Sequence, residues 1–189
     1  MTGDSERVHL ETVAQWRDWL EANHADSPGV WLVSWKAAAG RPAVGYEDAV
    51  VEALAFGWVD SKGGTVDDAR SMLWFTRRKT ASPWSLTNKA RVARLEAEGR
   101  MAEAGRQAVA AAQANGMWTV LDDAQNLVVS PDLATALADR PGAREHFDRF
   151  PPSARRMILE WIALAKRPDT RDRRIQETAD KAARGERSR

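Results

Sequence analysis

The stretch FGWVDSKGGTVDDARSMLWFTRRKTASPWSLTNKAR, residues 56–91, decides the fold, because it combines strand-forming residues with a clear glycine break. Aromatic and β-branched residues predict a short strand over Trp58–Ser61 and a second strand over Ser71–Lys79. The two glycines of Lys62–Thr65 predict the turn between them. A helix is predicted next, over residues 86–98. The stretch therefore predicts a β-hairpin that leads into a helix.

The residues before this hairpin predict two helices and one more strand. Thr12 and Gln15 have the spacing of a capping box, which predicts a helix over residues 12–23. The run VWLVSWK, residues 30–36, predicts a strand. Residues 46–56 have helical periodicity and precede a glycine, which is typical of a helix end. With the hairpin, these elements predict an α+β fold with a small antiparallel sheet and N-terminal helices.

The second half of the chain is predicted to be mostly helical. Residues 102–115 form a helical pattern that ends at a glycine, and residues 117–130 read as a connection. Further helical segments are predicted over residues 131–139, 141–149, 152–165 and 170–183. We expect an α+β domain over residues 1–116 and a helical region over residues 117–189, which packs on that domain or forms an appendage.

Composition excludes several classes of function. The chain has no cysteine, which excludes disulfides, thiolate zinc sites and a cysteine nucleophile. The three histidines, His9, His24 and His146, are not within metal-ligand spacing of one another, and no phosphate-binding fingerprint is found. We therefore expect neither a metal nor a cofactor. The polar N-terminus and the absence of a long apolar run predict a cytoplasmic protein without a membrane span.

Charge is distributed unevenly although the net charge is only +1. Residues 1–69 sum to −7, residues 70–106 to +6, residues 107–165 to −2 and residues 166–189 to +4. The two basic segments could bind an anionic partner, or they could pair with the acidic N-terminal third. The sequence leaves both interpretations open.

The strongest candidate for a ligand site is a basic and aromatic group of residues. Guanidinium groups bind carboxylate or phosphate with two parallel hydrogen bonds, and a neighbouring indole can stack on a planar group. Helical spacing places Asn88 and Arg91 on one side of the helix that follows the hairpin. The candidate ligand-binding residues are Trp58, Lys62, Arg77, Arg78, Trp84, Ser85, Asn88 and Arg91. The alternative is that these charges surround a tryptophan core and pair with acidic residues.

Asp60 is the candidate catalytic residue. It follows an apolar strand, where burial could raise the pKa of its carboxyl group and make it an acid or base. Alternatively, Asp60 accepts hydrogen bonds from backbone amides in the following turn. The site predicted here depends on the pairing of the two hairpin strands, which would bring Asp60 towards the segment from Thr76 to Arg91.

Three blocks of the chain resemble the bacterial YdeI/OmpD-associated proteins, an OmdA-like family also called bacteriocin-protection proteins. The blocks are EALAFGWVDS (Glu52–Ser61), WFTRRKTASPWSLTNKARVARLEAEGRM (Trp74–Met101) and WIALAKRPDTRDRRI (Trp161–Ile175). The family pattern would have a proline after Thr76, where this chain has Arg77, so the turn geometry differs from that pattern. The resemblance implies a mostly helical α+β protein that is associated with tolerance of antimicrobial peptides or related stress, without settled catalytic residues. It also implies a shared site at Trp58, Asp60, Arg77, Arg78, Trp84, Ser85, Asn88 and Arg91, and a helix-start network at Lys166, Thr170, Arg171 and Arg174.

Three hypotheses of function follow. The first is a binding protein for an anionic small molecule or peptide group. The second is an enzyme that acts on an anionic substrate with Asp60 as acid or base. The third is a nucleic-acid-binding protein that uses residues 70–106 and 166–189. The sequence does not predict the oligomeric state.

Overall fold

The computed structural model describes residues 6–189, which divide into two compact units. The first unit runs to Ser82 and includes Thr87–Asn115. The second unit consists of Pro83–Leu86 and Gly116–Arg189. The first unit contains the sheet, and the second unit is helical.

The sheet of the first unit has four strands in the order β1, β2, β4, β3. The strands are β1 (Arg7–His9), β2 (Val30–Trp35), β3 (Trp58–Thr65) and β4 (Arg70–Arg77). β2 pairs with β4, and β4 with β3, in antiparallel fashion, whereas β1 pairs with β2 in parallel. The predicted α+β class is confirmed, and the sheet is mixed because of the three-residue strand β1, which the sequence did not reveal.

The predicted pairing of the two hairpin strands is confirmed, but the predicted turn is wrong. Trp58 lies opposite Arg77 and Thr65 lies opposite Ser71, so β3 continues through both glycines. Gly63 and Gly64 pair regularly with Leu73 and Met72, and the register shifts by one residue just before them, between Asp60 and Gly63, which is a β-bulge. The turn lies after β3 instead. There the Asp67 carboxylate accepts hydrogen bonds from the backbone amide of Arg70, which begins β4, at 2.7 Å and from that of Ala69, which precedes β4, at 3.0 Å. This is the turn chemistry of an aspartate rather than of a glycine pair.

Helices make up most of the remaining chain. They are α1 (Val13–Asn23), α2 (Tyr46–Ala55), α3 (Leu86–Ala97), α4 (Glu103–Ala114), α5 (Asp122–Gln125), α6 (Pro131–Ala138), α7 (Ala143–Arg149), α8 (Pro152–Ala163) and α9 (Pro168–Ala183), with a short 3-10 helix at Ala37–Ala39. The capping box predicted for α1 is present, with Thr12 and Gln15 each bonded to the other's backbone amide. The predicted start of α6, with proline at the first helical position, is also confirmed. The last helix begins at Pro168, two residues before its predicted start. Proline suits a first helical position because it has no amide hydrogen to leave unbonded.

Helices α1 and α2 pack on one face of the sheet, which we call the inner sheet face. Trp16 of α1 is fully buried, and its indole nitrogen donates to the Ala49 carbonyl of α2 at 3.0 Å. The Trp16 ring lies 5.2 Å from the ring of Phe75, a fully buried residue of β4. Paired strand residues point to the same side of a sheet, so Asp60, which lies opposite Phe75, also belongs to the inner sheet face.

The core of the first unit contains one buried carboxylate, Glu52 of α2, whose residue is only 1% exposed. Arg17 of α1 donates to it at 2.8 Å, and Arg100, which follows α3, donates to its other oxygen. Both guanidinium groups keep contact with water, since their side chains are 33% and 40% exposed. Glu52 therefore joins α1, α2 and the end of α3 through charge-assisted hydrogen bonds.

The second unit has its own apolar core. Fully buried side chains from α6, α7, α8 and α9 form its centre, and the largest are Leu133, Leu137, Phe147 and Ile158. Arg171 of α9 donates to the Asp132 carboxylate at 2.9 and 3.0 Å, which ties the start of α9 to the start of α6.

Candidate functional site

The inner sheet face, the start of α2 and α3 bring together a cluster of polar side chains. The Tyr46 hydroxyl, at the first position of α2, donates to the Asp60 carboxylate of β3 at 3.1 Å. The neighbouring Glu47 carboxylate accepts two hydrogen bonds from the Arg91 guanidinium of α3, from Nε at 3.0 Å and from Nη2. Arg91 also donates to the Asn88 side-chain oxygen at 2.7 Å. We call Tyr46, Glu47, Asp60, Asn88 and Arg91 the Tyr46 cluster.

Electrostatics fix the protonation of this cluster near neutral pH. Partial burial raises the pKa of Tyr46, and the hydrogen bond to Asp60 and its charge raise it further. The hydrogen bond from Arg91 lowers the pKa of Glu47, and the same contact raises the pKa of Arg91. Tyr46 is therefore a neutral hydrogen-bond donor, while Glu47 and Arg91 form a charged pair.

Arg78, just after β4, belongs to the same electrostatic environment. Burial lowers the pKa of its guanidinium to about 10, and the charge of Asp60 opposes this shift. Asp60 also acts on Arg91, whose pKa it helps to raise. The charge of Asp60 therefore acts on two guanidinium groups and one phenol, and Arg78 stays charged at neutral pH.

A cavity of about 270 Å³ opens beside Tyr46, between the inner sheet face and α2. We call it the sheet cavity. Its lining is mostly apolar, with three residues that carry a hydroxyl group: Leu32, Ser34, Val44, Tyr46, Ala49, Gly63, Gly64, Ser71, Met72 and Leu73. Gly63 leaves space there, because a Cβ atom at this position would meet only the Met72 carbonyl oxygen, at 3.9 Å. A second, shallower pocket of about 330 Å³ is lined by Glu47, Thr87, Ala90, Arg91 and Arg94.

Three of the residues predicted from the sequence meet in the Tyr46 cluster: Asp60, Asn88 and Arg91. Arg78 lies near enough to Asp60 for their charges to interact. The expected opposition of Asp60 to the segment that follows β4 is therefore present. Asp60 accepts a hydrogen bond from the Tyr46 hydroxyl, whereas the alternative interpretation expected backbone amides of the following turn as donors.

The remaining predicted residues lie elsewhere. Arg77 is exposed and donates to the Ala25 carbonyl at 3.0 Å. Trp58 is fully buried and donates to the His24 carbonyl at 3.2 Å. Lys62 lies over the ring of Trp31 at 5.3 Å, because the bulge in β3 turns it away from the inner sheet face.

Trp84 and Ser85 belong to the second unit. Trp84 is 1% exposed, and its ring lies 5.1 Å from the ring of Trp118. A tryptophan buried to this degree has no ring face open for stacking on a ligand. Trp58 is buried to the same degree, so the aromatic surfaces of the candidate group serve as core.

Sequence reasoning missed two members of the site. Helical periodicity predicts Tyr46 on the apolar face of α2, but 61% of the residue is exposed and its hydroxyl donates to Asp60. An acid in the first turn, such as Glu47, is expected to favour the helix start, and this local rule does not reveal its contact with Arg91. The available signal was their position: both lie in the first turn of α2, after Gly45, where side chains are directed beyond the helix end.

Two features are absent from the part of the chain that the structure describes. Within residues 6–189, no group of three histidine or acidic side chains is arranged to hold a metal ion. In the same range, none of the helices has the length and apolarity to cross a membrane.

Comparisons with known families cover most of the chain. Residues 8–108 match a family described as a domain of unknown function, DUF8412. Residues 126–185 match the family described as "Bacteriocin-protection, YdeI or OmpD-Associated". The resemblance inferred from the sequence is confirmed by the second match, while the blocks around Trp58 and Trp84 lie in the first. Comparison with curated proteins and with solved structures gave no significant match.

Proposed function

We propose that this chain, which belongs to the family of the DUF8412 domain, binds a small amphipathic anion. It also carries a segment that matches the family described as "Bacteriocin-protection, YdeI or OmpD-Associated", and neither family description names a reaction. The apolar part of the ligand occupies the sheet cavity. Its anionic group binds at the mouth, to Arg91 and the Tyr46 hydroxyl. The observation that supports this proposal is the position of Tyr46, which both lines the cavity and belongs to the charged cluster.

The cavity suits a small ligand of this kind. Ligand sites are concave, mostly apolar and equipped with a few polar groups that fix orientation, and their volumes run from about 300 to 1,000 Å³. The sheet cavity, at about 270 Å³, lies just below this range, which favours a small ligand. Ser34 and Ser71 supply hydroxyl groups within it, and Leu32 and Leu73 supply apolar surface.

The charges at the mouth favour an anion. Arg91 and Arg94 both lie within ion-pair distance of Glu47, with nitrogen to oxygen distances of at most 3.8 Å, so two cations share one carboxylate. Glu47 is half-exposed and can turn into water when a ligand carboxylate or phosphate takes its place. In the free protein the single proton of the Tyr46 hydroxyl is donated to Asp60, so the hydroxyl turns from Asp60 to the anionic group when the ligand binds.

Titration calorimetry with straight-chain carboxylates, and with the alcohols of the same lengths, tests the proposal. We expect the carboxylates to bind and the alcohols to bind at least about tenfold more weakly, since a charge-assisted hydrogen bond contributes about 1.5–3 kcal/mol. Arg91→Ala should weaken carboxylate binding by a similar factor. Gly63→Val should block the sheet cavity, because Gly63 lines it opposite Leu73 and its Cβ would meet only the Met72 carbonyl oxygen, at the ordinary contact distance of 3.9 Å.

The matched control is Arg106→Ala, which removes the same charge from an exposed position on α4. It should leave carboxylate binding unchanged. Equal affinity for carboxylates and alcohols, or carboxylate binding that survives both Arg91→Ala and Gly63→Val, would show that the site is elsewhere.

Catalysis by Asp60 is the second candidate function, and the Tyr46 hydrogen bond favours it, because a carboxylate held beside a cavity can exchange a proton with a bound ligand. Asp60→Asn keeps the size of the side chain and removes the base. We expect this variant to bind an anionic substrate without converting it. Conversion at the rate of the unmodified protein would exclude Asp60 as acid or base.

We also propose that this binding underlies tolerance of antimicrobial peptides or related stress, in the cytoplasm. Survival of bacterial cells that express the chain, under challenge with such a peptide, measures this role. Cells that express Arg91→Ala should lose the benefit, and cells that express Arg106→Ala should keep it. Fractionation of the same cells tests the location.

A further inference from the structure

The sheet has a second face on the side opposite α1 and α2, which we call the outer sheet face. Side chains alternate along a strand, so the residues next to the buried Leu32 and Phe75 point to this other side. The outer sheet face carries Arg7 from β1, Trp31 and Trp35 from β2, Lys62 from β3, and Arg70 and Trp74 from β4. Arg7, Trp31 and Trp74 lie in one row across three strands, as the register shows.

The three indoles of this face form an open aromatic layer. The rings of Trp31 and Trp74 lie 5.4 Å apart at 60°. All three tryptophans are half-buried, whereas Trp16 and Trp58 on the inner side are fully buried. Large aromatic side chains that stay partly open to water on neighbouring strands are typical of a binding surface, because burying them on a partner is favourable.

Cations lie directly over these rings. The Lys62 ammonium lies 5.3 Å from the Trp31 ring, and Trp35 has Arg41 at 4.4 Å and Arg70 at 5.6 Å. Arg70 is neutralised by Asp67 at 2.6 Å, and Arg41 lies 3.9 Å from Glu11.

Arg7 and Lys62 differ from these two arginines. Both are exposed, and within residues 6–189 neither forms an ion pair with a carboxylate. Among the described residues, the row of Trp31 and Trp74 is therefore bordered by two positive charges without a carboxylate partner.

We propose that the outer sheet face binds single-stranded nucleic acid. Bases stack on Trp31 and Trp74, and phosphates bind Arg7 and Lys62. Sequence-independent binding of single strands combines these two elements, an aromatic stacking layer and a positively charged border that follows the backbone. Lys62 moves from the ring of Trp31 to a phosphate as a base takes its place. This surface differs from the Tyr46 cluster, and the proposal does not depend on the proposed function.

This surface also differs from the one that the basic segments suggested. In residues 70–106, Arg91, Arg100 and Arg106 are all paired with carboxylates of their own unit. Paired arginines release no counterions from a nucleic acid unless their partners leave, so these three arginines are weaker candidates than Arg7 and Lys62.

The test is fluorescence anisotropy with a labelled oligothymidylate, compared with an abasic oligomer of the same length and with heparin. We expect oligothymidylate to bind at low salt, to quench tryptophan fluorescence and to weaken as salt rises. Lys62→Glu and Arg7→Glu should each weaken binding at least about tenfold and make the salt dependence less steep. Trp31→Leu should weaken oligothymidylate binding about tenfold and leave binding to the abasic oligomer unchanged.

Arg156→Glu, the same charge change at an exposed position of the second unit, is the control and should have no effect. Thermal unfolding establishes that each variant is folded, and the two charge reversals decide the question if Trp31→Leu is not. Equal binding of the abasic oligomer and oligothymidylate overturns the stacking proposal, and binding of heparin alone indicates a polyanion site without base recognition. Absence of oligothymidylate binding at low salt, or equal losses in Lys62→Glu and Arg156→Glu, overturns the assignment of this face.

Discussion

Replacing Glu52 with alanine should destabilise the first unit by about 3 kcal/mol. Breaking a buried ion pair by removing one partner costs about 3–5 kcal/mol, since the remaining charge stays buried without compensation. Here the remaining charges are Arg17 and Arg100, whose side chains are 33% and 40% exposed and can regain water. The cost should therefore lie at the low end of that range. For a chain of this length it corresponds to a fall of roughly 6–12 °C in the melting temperature.

Urea unfolding followed by tryptophan fluorescence measures this effect, because six of the nine tryptophans lie in the first unit. The matched control is Glu98→Ala. Glu98 accepts a hydrogen bond from the same Arg100 at 2.8 Å, but it is 41% exposed. An exposed pair contributes at most about 1 kcal/mol. If the two variants lost the same stability, burial of Glu52 would not be what makes its contacts strong, and the argument would fail.

Three further predictions concern single residues. Tyr46 is the only tyrosine, so the near-ultraviolet titration of tyrosinate reports on it alone; its midpoint should lie above the ordinary value of 10.0 and fall towards it in Asp60→Asn. The pKa of Glu47 is lowered in the folded protein, so its contribution to stability is complete above the unfolded pKa of about 4.3 and is lost as pH falls through the folded pKa. The stability difference between the unmodified protein and Glu47→Gln should therefore shrink in acid, which urea unfolding at several pH values measures. Gly105→Ala should destabilise the first unit by about 2 kcal/mol in the same assay despite better helix propensity, because its Cβ would lie 2.2 Å from the Ala55 carbonyl oxygen.

A contrasting variant or a stated outcome can contradict each of these three predictions. Gly99 has a φ of +67° and open space around it, so Gly99→Ala should cost about 1 kcal/mol through backbone strain alone. A Gly105→Ala variant no less stable than this one would contradict the close approach of α4 to α2. A tyrosinate midpoint that ignored Asp60→Asn would contradict the hydrogen bond between the two residues, and a constant stability difference across the acid range would contradict the Glu47 pairing.

The sequence alone predicted those elements whose structure is determined by a local rule. The spacing of Thr12 and Gln15 predicted the start of α1, and Pro131 predicted the start of α6, because capping satisfies backbone groups within a few residues. The hairpin strands were also predictable, since alternation of apolar residues fixes which segments pair. These are the elements whose conformation depends least on distant contacts.

The sequence was insufficient where two local rules competed. Gly63 and Gly64 satisfy the rule for a two-residue turn, but Asp67 closes the turn through its own side chain. The glycines remain in the strand because they pair with Leu73 and Met72 of β4, and this register, with its bulge before Gly63, is a tertiary property. The parallel strand β1 spans three residues, too few for a period to be detected.

The candidate site was predictable only in the members that one helix or one strand positions. Helical spacing placed Asn88 beside Arg91, and strand pairing brought Asp60 towards the segment after β4. The phenol of Tyr46 meets Asp60 only because the start of α2 reaches the sheet, a contact between residues 14 positions apart that no period encodes.

The charge asymmetry of the sequence is expressed in the first unit mainly as ion pairs. The acidic N-terminal third supplies Glu47 and Glu52, and the basic segment after it supplies Arg91 and Arg100, which pair with them. Such pairing lowers the field that the raw count of charges implies, because each contact cancels a cation that a ligand could otherwise use. A partner should therefore be sought where compensation is incomplete: at Glu47, which is shared by two arginines, and on the outer sheet face. These two places lie on opposite sides of one sheet, so variants at one leave the other available as an internal control.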